Sequence, residues 1–101
     1  MPLVRTVSVV VPARDEAGRI GSLVRGILAQ RTPEYAVEVI VADDGSRDGT
    51  TLEAAAAGAR VSTLPRDAAG DNPAAARNRG ARAAKGDPLV FLDADCVPDA
   101  A

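Results

Sequence analysis

Residues 37–46, Val-Glu-Val-Ile-Val-Ala-Asp-Asp-Gly-Ser, carry the pattern that decides the fold. The apolar run Val39-Ile40-Val41-Ala42 is typical of a strand that is buried on both of its faces. Asp43 and Asp44 follow at once, and Gly45 allows the backbone to turn sharply after them. A strand of this kind indicates a parallel sheet, because helices cover both faces of such sheets.

The segments on either side of this strand alternate between strand and helix patterns. Further strands are predicted at residues 7–11, 59–64 and 89–92, and Pro12 is expected to stop the first of them. Residues 65–71 are expected to form a loop. The helices predicted between the strands are one with an apolar face from Ile20 to Leu28, an alanine-rich one over residues 50–57 that Gly58 ends, and one from Asn72-Pro73 to about Lys85.

This order predicts a single α/β domain over residues 1–101, with elements in the order β-α-β-α-β-α-β, a mostly parallel sheet and helices on both faces. Ligands of such sheets bind outside the carboxyl ends of the strands, near the point where the strand order switches. The segments expected at that edge are residues 12–16, 43–46, 65–71 and 93–96. All four of these segments carry carboxylates that could serve as ligand contacts.

Composition excludes several classes of function. The chain has 12 basic and 14 acidic residues and a net charge of −2, which disfavours a nucleic-acid partner. It has no histidine, so histidine-based catalysis and zinc sites that need histidine are excluded. Cys96 is the only cysteine, so no disulfide forms within the chain. The sequence shows neither a signal peptide nor a membrane-spanning run, and we expect a cytoplasmic protein, with membrane association of a longer chain left open.

The acidic pair Asp93 and Asp95 follows the last predicted strand. Residues i and i+2 of an extended chain point the same way and lie ~6.6 Å apart, so the two carboxylates could share a divalent cation. Mg²⁺ or Mn²⁺ in such a site keeps several waters and completes its coordination with substrate phosphates. The alternative is that both acids only solvate the end of the strand, and we favour the metal site.

The other polar residues at this edge allow two readings each. Asp43 and Asp44 could accept hydrogen bonds from a base or a ribose, which we favour over a plain turn. Ser46 and Asp48 are expected to form a turn and to cap the following helix. Arg14 could bind a phosphate. Asp15 or Glu16 is expected to cap the first helix. Arg77 and Asn78 either contact a ligand or lie on a solvated helix face.

Two nucleotide-binding signatures are missing, and two rival enzyme classes fit poorly. Neither a G-x-G-x-x-G fingerprint nor a P-loop follows the first strand. A nucleotidyltransferase should show a glycine-rich loop where residues 12–16 stand. A haloacid dehalogenase phosphatase places its D-x-D-x-T motif after the first strand, whereas here the acids follow the fourth strand and Val97 replaces the threonine.

Four segments, taken together, resemble family 2 glycosyltransferases of the GT-A fold. In the order and spacing of that family they are residues 7–16, residues 38–46 with 48–50, residues 76–81 and residues 91–95. The resemblance covers nearly the whole chain and implies the Rossmann-like N-terminal half of that fold. It also implies a nucleotide-diphospho-sugar donor of the UDP or GDP type.

The resemblance assigns roles to individual residues. Asp44, or the pair with Asp43, would hold the base, and Asp95 would bind Mn²⁺ or Mg²⁺ directly, with Asp93 near the ribose or a metal-bound water. Asp15 stands where the family more often has asparagine, so its role stays open. The residues that would line the nucleoside pocket or lie near the donor are Pro12, Ala13, Arg14, Glu16, Arg77 and Asn78.

The reaction implied by the resemblance is transfer of the sugar to an acceptor hydroxyl, usually with inversion at the anomeric carbon. A carboxylate base would deprotonate the acceptor, and in the family that base lies downstream of the metal motif. We therefore assign no catalytic base within residues 1–101 and leave the acceptor open. The alternative is a truncated, non-catalytic module that binds the nucleotide without transferring the sugar.

Overall fold

Four strands form one parallel sheet in the computed structural model, which describes residues 5–64, 78, 80–84 and 89–91. The strands lie side by side in the order β3-β2-β1-β4. Their neighbours pair in parallel throughout the described ranges. The elements in chain order are β1 (Arg5–Ala13), α1 (Ile20–Leu28), β2 (Tyr35–Asp44), α2 (Thr50–Ala56), β3 (Arg60–Leu64) and β4 (Leu89–Phe91).

The strand order contains one switch. The chain steps from β1 to β2 to β3 in one direction, and β4 then lies on the other side of β1. Residues 78 and 80–83, between β3 and β4, are helical. The predicted α/β class is thus confirmed, while the predicted loop at residues 65–71 and the ends of the third helix lie outside the described residues.

Helices cover both faces of the sheet, as predicted. Side chains alternate between the two faces along a strand, so neighbouring residues of β1 and β2 join different cores. Val9, Val11, Val39 and Val41 lie in a core with α1 and α2. The helical residues 78 and 80–83 are called the third helical segment. The other core contains Val10, Ile40 and Ala42, with Ala83 and the following Ala84 packed against it.

The first strand is longer than predicted. β1 continues through Pro12 to Ala13, and Pro12 pairs with Ala42 of β2. The expectation that Pro12 stops the strand is wrong, because the fixed φ of proline is compatible with extended backbone and only one amide hydrogen is lost. As a result Ala13 stands directly beside Asp43 at the end of the sheet.

The third helical segment packs very closely on the sheet at Gly80. A Cβ atom there would lie 2.5 Å from Cγ1 of Val10 and 3.2 Å from Cβ of Ala42. The Arg60 guanidinium also donates to the carbonyl oxygen of Ala83 at 2.9 Å, which ties the segment to β3. In the described part of the chain, no helix is long and apolar enough to cross a membrane.

Candidate functional site

Two buried aspartates end β2 at the carboxyl edge of the sheet. Asp43 is 1% exposed and Asp44 is 5% exposed. Alternation along the strand puts Asp43 on the face of Val41 and Asp44 on the face of Ala42, where the third helical segment packs. The two carboxylates therefore meet different surroundings although they are adjacent in the chain.

Asp43 is used to form the turn after β2. One of its carboxylate oxygens accepts the backbone N–H of Ser46 at 2.9 Å, and the other accepts the Ser46 hydroxyl. Gly45 lies between them with φ of +70°, a conformation that favours glycine. The two contacts make Asp43 a structural support of the turn that presents its neighbour, Asp44.

Asp44 carries a buried acceptor that the described residues leave unsatisfied. Its Oδ1 atom has no hydrogen-bond partner among them. A buried polar atom without a partner costs roughly 1–3 kcal/mol, so such atoms usually indicate a ligand or a functional contact. Asp44 can therefore accept an N–H or O–H group from a bound molecule.

Residues 14–18 are called the first loop, and the backbone amides of residues 15–18 donate to side chains that follow β2. The loop connects β1 to α1, and Ala13, the residue before it, is 4% exposed. Pro12, Arg14 and Glu16 are half-buried. The contacts are Asp15 N–H to Ser46 Oγ at 2.9 Å, Glu16 N–H to Thr50 Oγ1 at 2.8 Å and Ala17 N–H to Asp48 Oδ2 at 3.2 Å.

The first loop and the turn after β2 are joined by hydrogen bonds in both directions. Asp15 has φ of +52°, and its Oδ1 accepts the N–H of Arg47 at 2.8 Å. Asp48 also accepts the backbone N–H of Thr50 at 2.9 Å, in agreement with the turn that was predicted there. The predicted cap of α2 by Ser46 or Asp48 is wrong, because Gly49 is the N-cap residue of this helix and has no side chain to form a cap hydrogen bond. The hydrogen bond from the Thr50 hydroxyl is the main reason that the pKa of Asp48 lies below its usual value.

Glu53 caps α1 from another helix. Its two oxygens accept the N–H groups of Gly18 and Gly21, each at 2.7 Å. The first-loop amide of Gly18, and then that of Gly21, hold the pKa of the Glu53 carboxyl below its usual value. These contacts replace the cap that was expected from Asp15 or Glu16.

The prediction that Asp15 or Glu16 caps α1 is wrong for a geometric reason. A turn over residues 17–19 separates both side chains from the helix, which starts at Ile20. The side chain of Glu16 instead pairs with Arg19 at 2.5 Å, and its backbone oxygen accepts the N–H groups of Arg19 and Ile20.

Sequence reasoning missed Glu53 and Gly80. Thr50-Thr51-Leu52-Glu53 matches the local capping-box pattern, in which the glutamate would serve its own helix, and this local reading hides the contact with α1. Gly80 lies in residues 76–81, a segment that carries the family resemblance. A glycine inside a helical pattern does not indicate which strand the helix packs against.

The remaining predicted site residues are only partly placed. Asn78 is helical and exposed. Arg77, Asp93 and Asp95 lie outside the described residues. Within the described ranges no three potential metal ligands converge. β4 runs parallel to β1 and its last described pair is Phe91 with Val10, so its carboxyl end is directed toward the edge that carries Ala13 and Asp43.

A cavity of about 380 Å³ lies elsewhere, where β1 and β2 begin. Its lining is apolar apart from Gln30, Thr32 and the Tyr35 hydroxyl, and it contains none of the carboxylates described above. The carboxyl edge, not this cavity, is the candidate functional site. The lining residues are Val7, Val9, Ile27, Gln30, Thr32, Tyr35 and Val37.

A parallel sheet with a switch in strand order and buried acids at its carboxyl edge defines the class of α/β proteins that bind ligands at that edge. The family model described as glycosyl transferase family 2 matches residues 8–101, and the chain belongs to this family. The family resemblance read from the sequence is confirmed.

Two relatives similar in sequence and one solved structure illustrate the family. Glucosyl-3-phosphoglycerate synthase of Mycolicibacterium paratuberculosis is 40% identical over 97 residues, covering 92% of this chain and 29% of the relative. 4,4'-Diaponeurosporenoate glycosyltransferase of Staphylococcus aureus strain RF122 is 37% identical over 93 residues, covering 90% of this chain and 24% of that protein.

A solved structure of glucosyl-3-phosphoglycerate synthase from Mycobacterium tuberculosis, in complex with Mn²⁺, UDP and glucosyl-3-phosphoglycerate, has a TM-score of 0.75 and 35% identity. The match covers 92% of this chain and 34% of the solved chain. The chain thus spans about a quarter to a third of the length of these relatives, and it shares the GT-A fold of its structural neighbours.

Proposed function

We propose that this chain forms the donor-binding part of a glycosyltransferase, which binds a nucleotide-diphospho-sugar with a divalent metal. The observation that carries the proposal is the unsatisfied, buried Oδ1 of Asp44 at the carboxyl edge of a family 2 domain. In the full reaction the sugar passes to an acceptor hydroxyl with inversion. The base that deprotonates this hydroxyl is expected downstream of the metal motif.

Asp44 is the proposed contact to the base of the nucleotide. Uracil and guanine both present ring N–H groups, which complement a carboxylate oxygen, so a UDP or a GDP donor would fit. Asp43 supports Asp44 through the turn, because its own two oxygens are taken up by Ser46. Pro12, Ala13, Arg14 and Glu16 are the proposed wall of the nucleoside pocket.

The proposed metal site consists of Asp95 as the direct ligand and Asp93 near the ribose or a metal-bound water. The sequence places Asp93 two residues after the last described residue of β4, which runs parallel to β1 toward the same edge as Asp44. Carboxylate oxygens suit Mn²⁺ or Mg²⁺, and the similar synthase structure contains Mn²⁺ with UDP. When bound, the metal neutralises charge on the departing nucleoside diphosphate.

The third helical segment is the proposed neighbour of the diphosphate. Asn78 is exposed there, and Arg77 precedes it in the sequence. An arginine at this position would pair with phosphate charge. The acceptor differs between relatives, since one is named for phosphoglycerate and another for diaponeurosporenoate, so this part of the chain leaves the acceptor open. We further propose a cytoplasmic location and no nucleic-acid partner.

A second candidate is a module that binds the nucleotide but transfers no sugar. Both candidates require the same donor site. They differ only in whether UDP-sugar is consumed when an acceptor is present.

The role of Asp44 is tested by replacing it with asparagine. Asp44→Asn keeps the shape of the side chain but removes the charge, and we expect the Kd for UDP in the presence of Mn²⁺ to rise at least about tenfold, since hydrogen bonds to a charged group are worth about 1.5–3 kcal/mol. Isothermal titration calorimetry measures the change. Glu34→Gln is the control, because it removes an equal charge from an exposed residue at the opposite edge of the sheet. An Asp44→Asn variant that is folded and binds UDP as the wild type does would contradict the assignment.

A further inference from the structure

The N-terminal end of α1 is filled by a side chain of the same protein. Backbone amides at a helix N-terminus commonly bind phosphate or other anions. Here the Glu53 carboxylate accepts the N–H groups of Gly18 and Gly21 at 2.7 Å each. The amides of Gly18 and Gly21 are therefore not available to a diphosphate. Any contribution of Glu53 to the ligand site must come through the backbone that it holds.

The first loop contains two of the four residues of the proposed nucleoside-pocket wall, Arg14 and Glu16. It starts at Arg14, after the strand residues Pro12 and Ala13. Ala13 pairs with Asp43, the neighbour of Asp44. A displacement of the first loop would therefore move the wall relative to Asp44.

We infer that Glu53 is a positioning residue for the nucleoside pocket, because it holds the first loop in place through the amides of Gly18 and Gly21. This inference rests on the proposed function of the carboxyl edge. The side-chain hydrogen bonds of Glu53 within the described residues go to the backbone of Gly18 and Gly21 and not to the residues of the proposed pocket wall. It acts through the backbone that connects the pocket wall to α1.

Glu53 differs from the other side chains that hold the loop. Ser46, Thr50 and Asp48 each accept one amide of the first loop, whereas Glu53 accepts the amide at its end and a second one inside α1. Both contacts are hydrogen bonds to a charged acceptor, as is the one to Asp48, and such bonds are about twice as strong as neutral ones. Glu53 thus joins the loop to the helix and both to α2.

Gly21 provides the space that this contact needs. A Cβ atom at Gly21 would lie 3.1 Å from Cγ of Glu53 and 3.2 Å from its Oε2. These distances are tighter than ordinary van der Waals contact, so a larger residue would push the carboxylate away. Gly21→Ala therefore disturbs the same contact while it leaves the charge of Glu53 intact.

The test compares UDP binding in Mn²⁺ between the wild type and three variants. In Glu53→Gln one acceptor oxygen becomes an NH₂ group that faces an N–H donor, and we expect the Kd to rise about three- to tenfold, which is up to about 1.4 kcal/mol. Gly21→Ala should weaken binding in the same direction. Glu34→Gln, the charge-matched control on an exposed loop, should bind within about twofold of the wild type.

A second measurement separates positioning from a general loss of stability. Titrations are made well below the unfolding midpoint of each variant, and ¹H–¹⁵N spectra follow the amides of Gly18 and Gly21. In the wild type these two resonances should barely move when UDP is added, because their hydrogen bonds are internal. In Glu53→Gln they should shift before any ligand is present.

The outcomes separate the inference from the proposed function. If the wild type binds UDP, and Glu53→Gln binds equally well although the Gly18 and Gly21 resonances have shifted, the positioning role is overturned and the proposed function stands. If Glu53→Gln does not fold, Gly21→Ala decides in the same way, with the Gly18 resonance as the marker of a displaced loop. Absence of UDP binding by the folded wild type overturns both.

Discussion

At the scale of the residue, Asp43 and Asp44 show what a sequence motif leaves open. The sequence predicted a pair of ligand contacts, since both are acidic and end a buried strand. The structure gives both oxygens of Asp43 to Ser46 and leaves one buried oxygen of Asp44 without a described partner. The different roles of Asp43 and Asp44 depend on the alternation of side chains along the strand and on how the turn closes around Gly45. Neither feature is specified by residue type.

Asp15 is a second residue whose role is set by backbone conformation. Its φ of +52° is in the left-handed region, where asparagine and aspartate are tolerated and alanine is strained. We expect Asp15→Ala to lower the free energy of unfolding by about 1–2 kcal/mol, through this strain and loss of the contact to the Arg47 amide.

Asp15→Asn is the matched control for that prediction. Asparagine retains an oxygen for the Arg47 N–H and adopts the same backbone conformation, so its effect should stay within about 0.5 kcal/mol. Urea denaturation followed by circular dichroism measures both variants. Equal effects of alanine and asparagine would show that the conformation of Asp15 contributes nothing.

At the scale of the element, strands and helices could be predicted closely, while the contacts between them could not. β-Branched runs specified β1 and β2, because burial of a strand on both faces leaves a continuous apolar run. Helical spacing specified α1, because burial of one helix face leaves a periodic pattern. The helix cap by Glu53 escaped prediction because residues distant in sequence meet there. The continuation of β1 through Pro12 escaped it because proline is compatible with a strand only in a suitable register.

The packing of the third helical segment on β1 and β2 leads to a prediction at Gly80. A methyl group there would lie 2.5 Å from a methyl of Val10, so Gly80→Ala should move the segment outward and lower the free energy of unfolding by about 1–3 kcal/mol. Gly49→Ala is the control, since a Cβ atom at Gly49 would have nothing within 4 Å and its φ is −82°. Thermal and urea unfolding compare the two variants. A Gly80→Ala variant no less stable than Gly49→Ala would contradict the close packing.

At the scale of the whole molecule, the strand order β3-β2-β1-β4 joins the separate observations. It gathers the ends of β1 and β2 at one edge, with Ala13 beside Asp43, and directs β4 toward the same edge. The α/β class and this edge could be predicted from the alternation of elements, and membership of glycosyl transferase family 2 agrees with both. The metal pair Asp93 and Asp95 remains a prediction of the sequence.

The central claim is that this edge binds a nucleoside diphosphate with the help of a divalent metal. Calorimetric titration of the folded chain with UDP, with Mn²⁺ and again with excess chelator, tests it most directly. We predict saturable binding with one UDP per chain in Mn²⁺ and a Kd at least about tenfold higher without the metal, because the diphosphate charge is then not neutralised. Absence of binding under both conditions, in a sample with a cooperative unfolding transition, would contradict the claim.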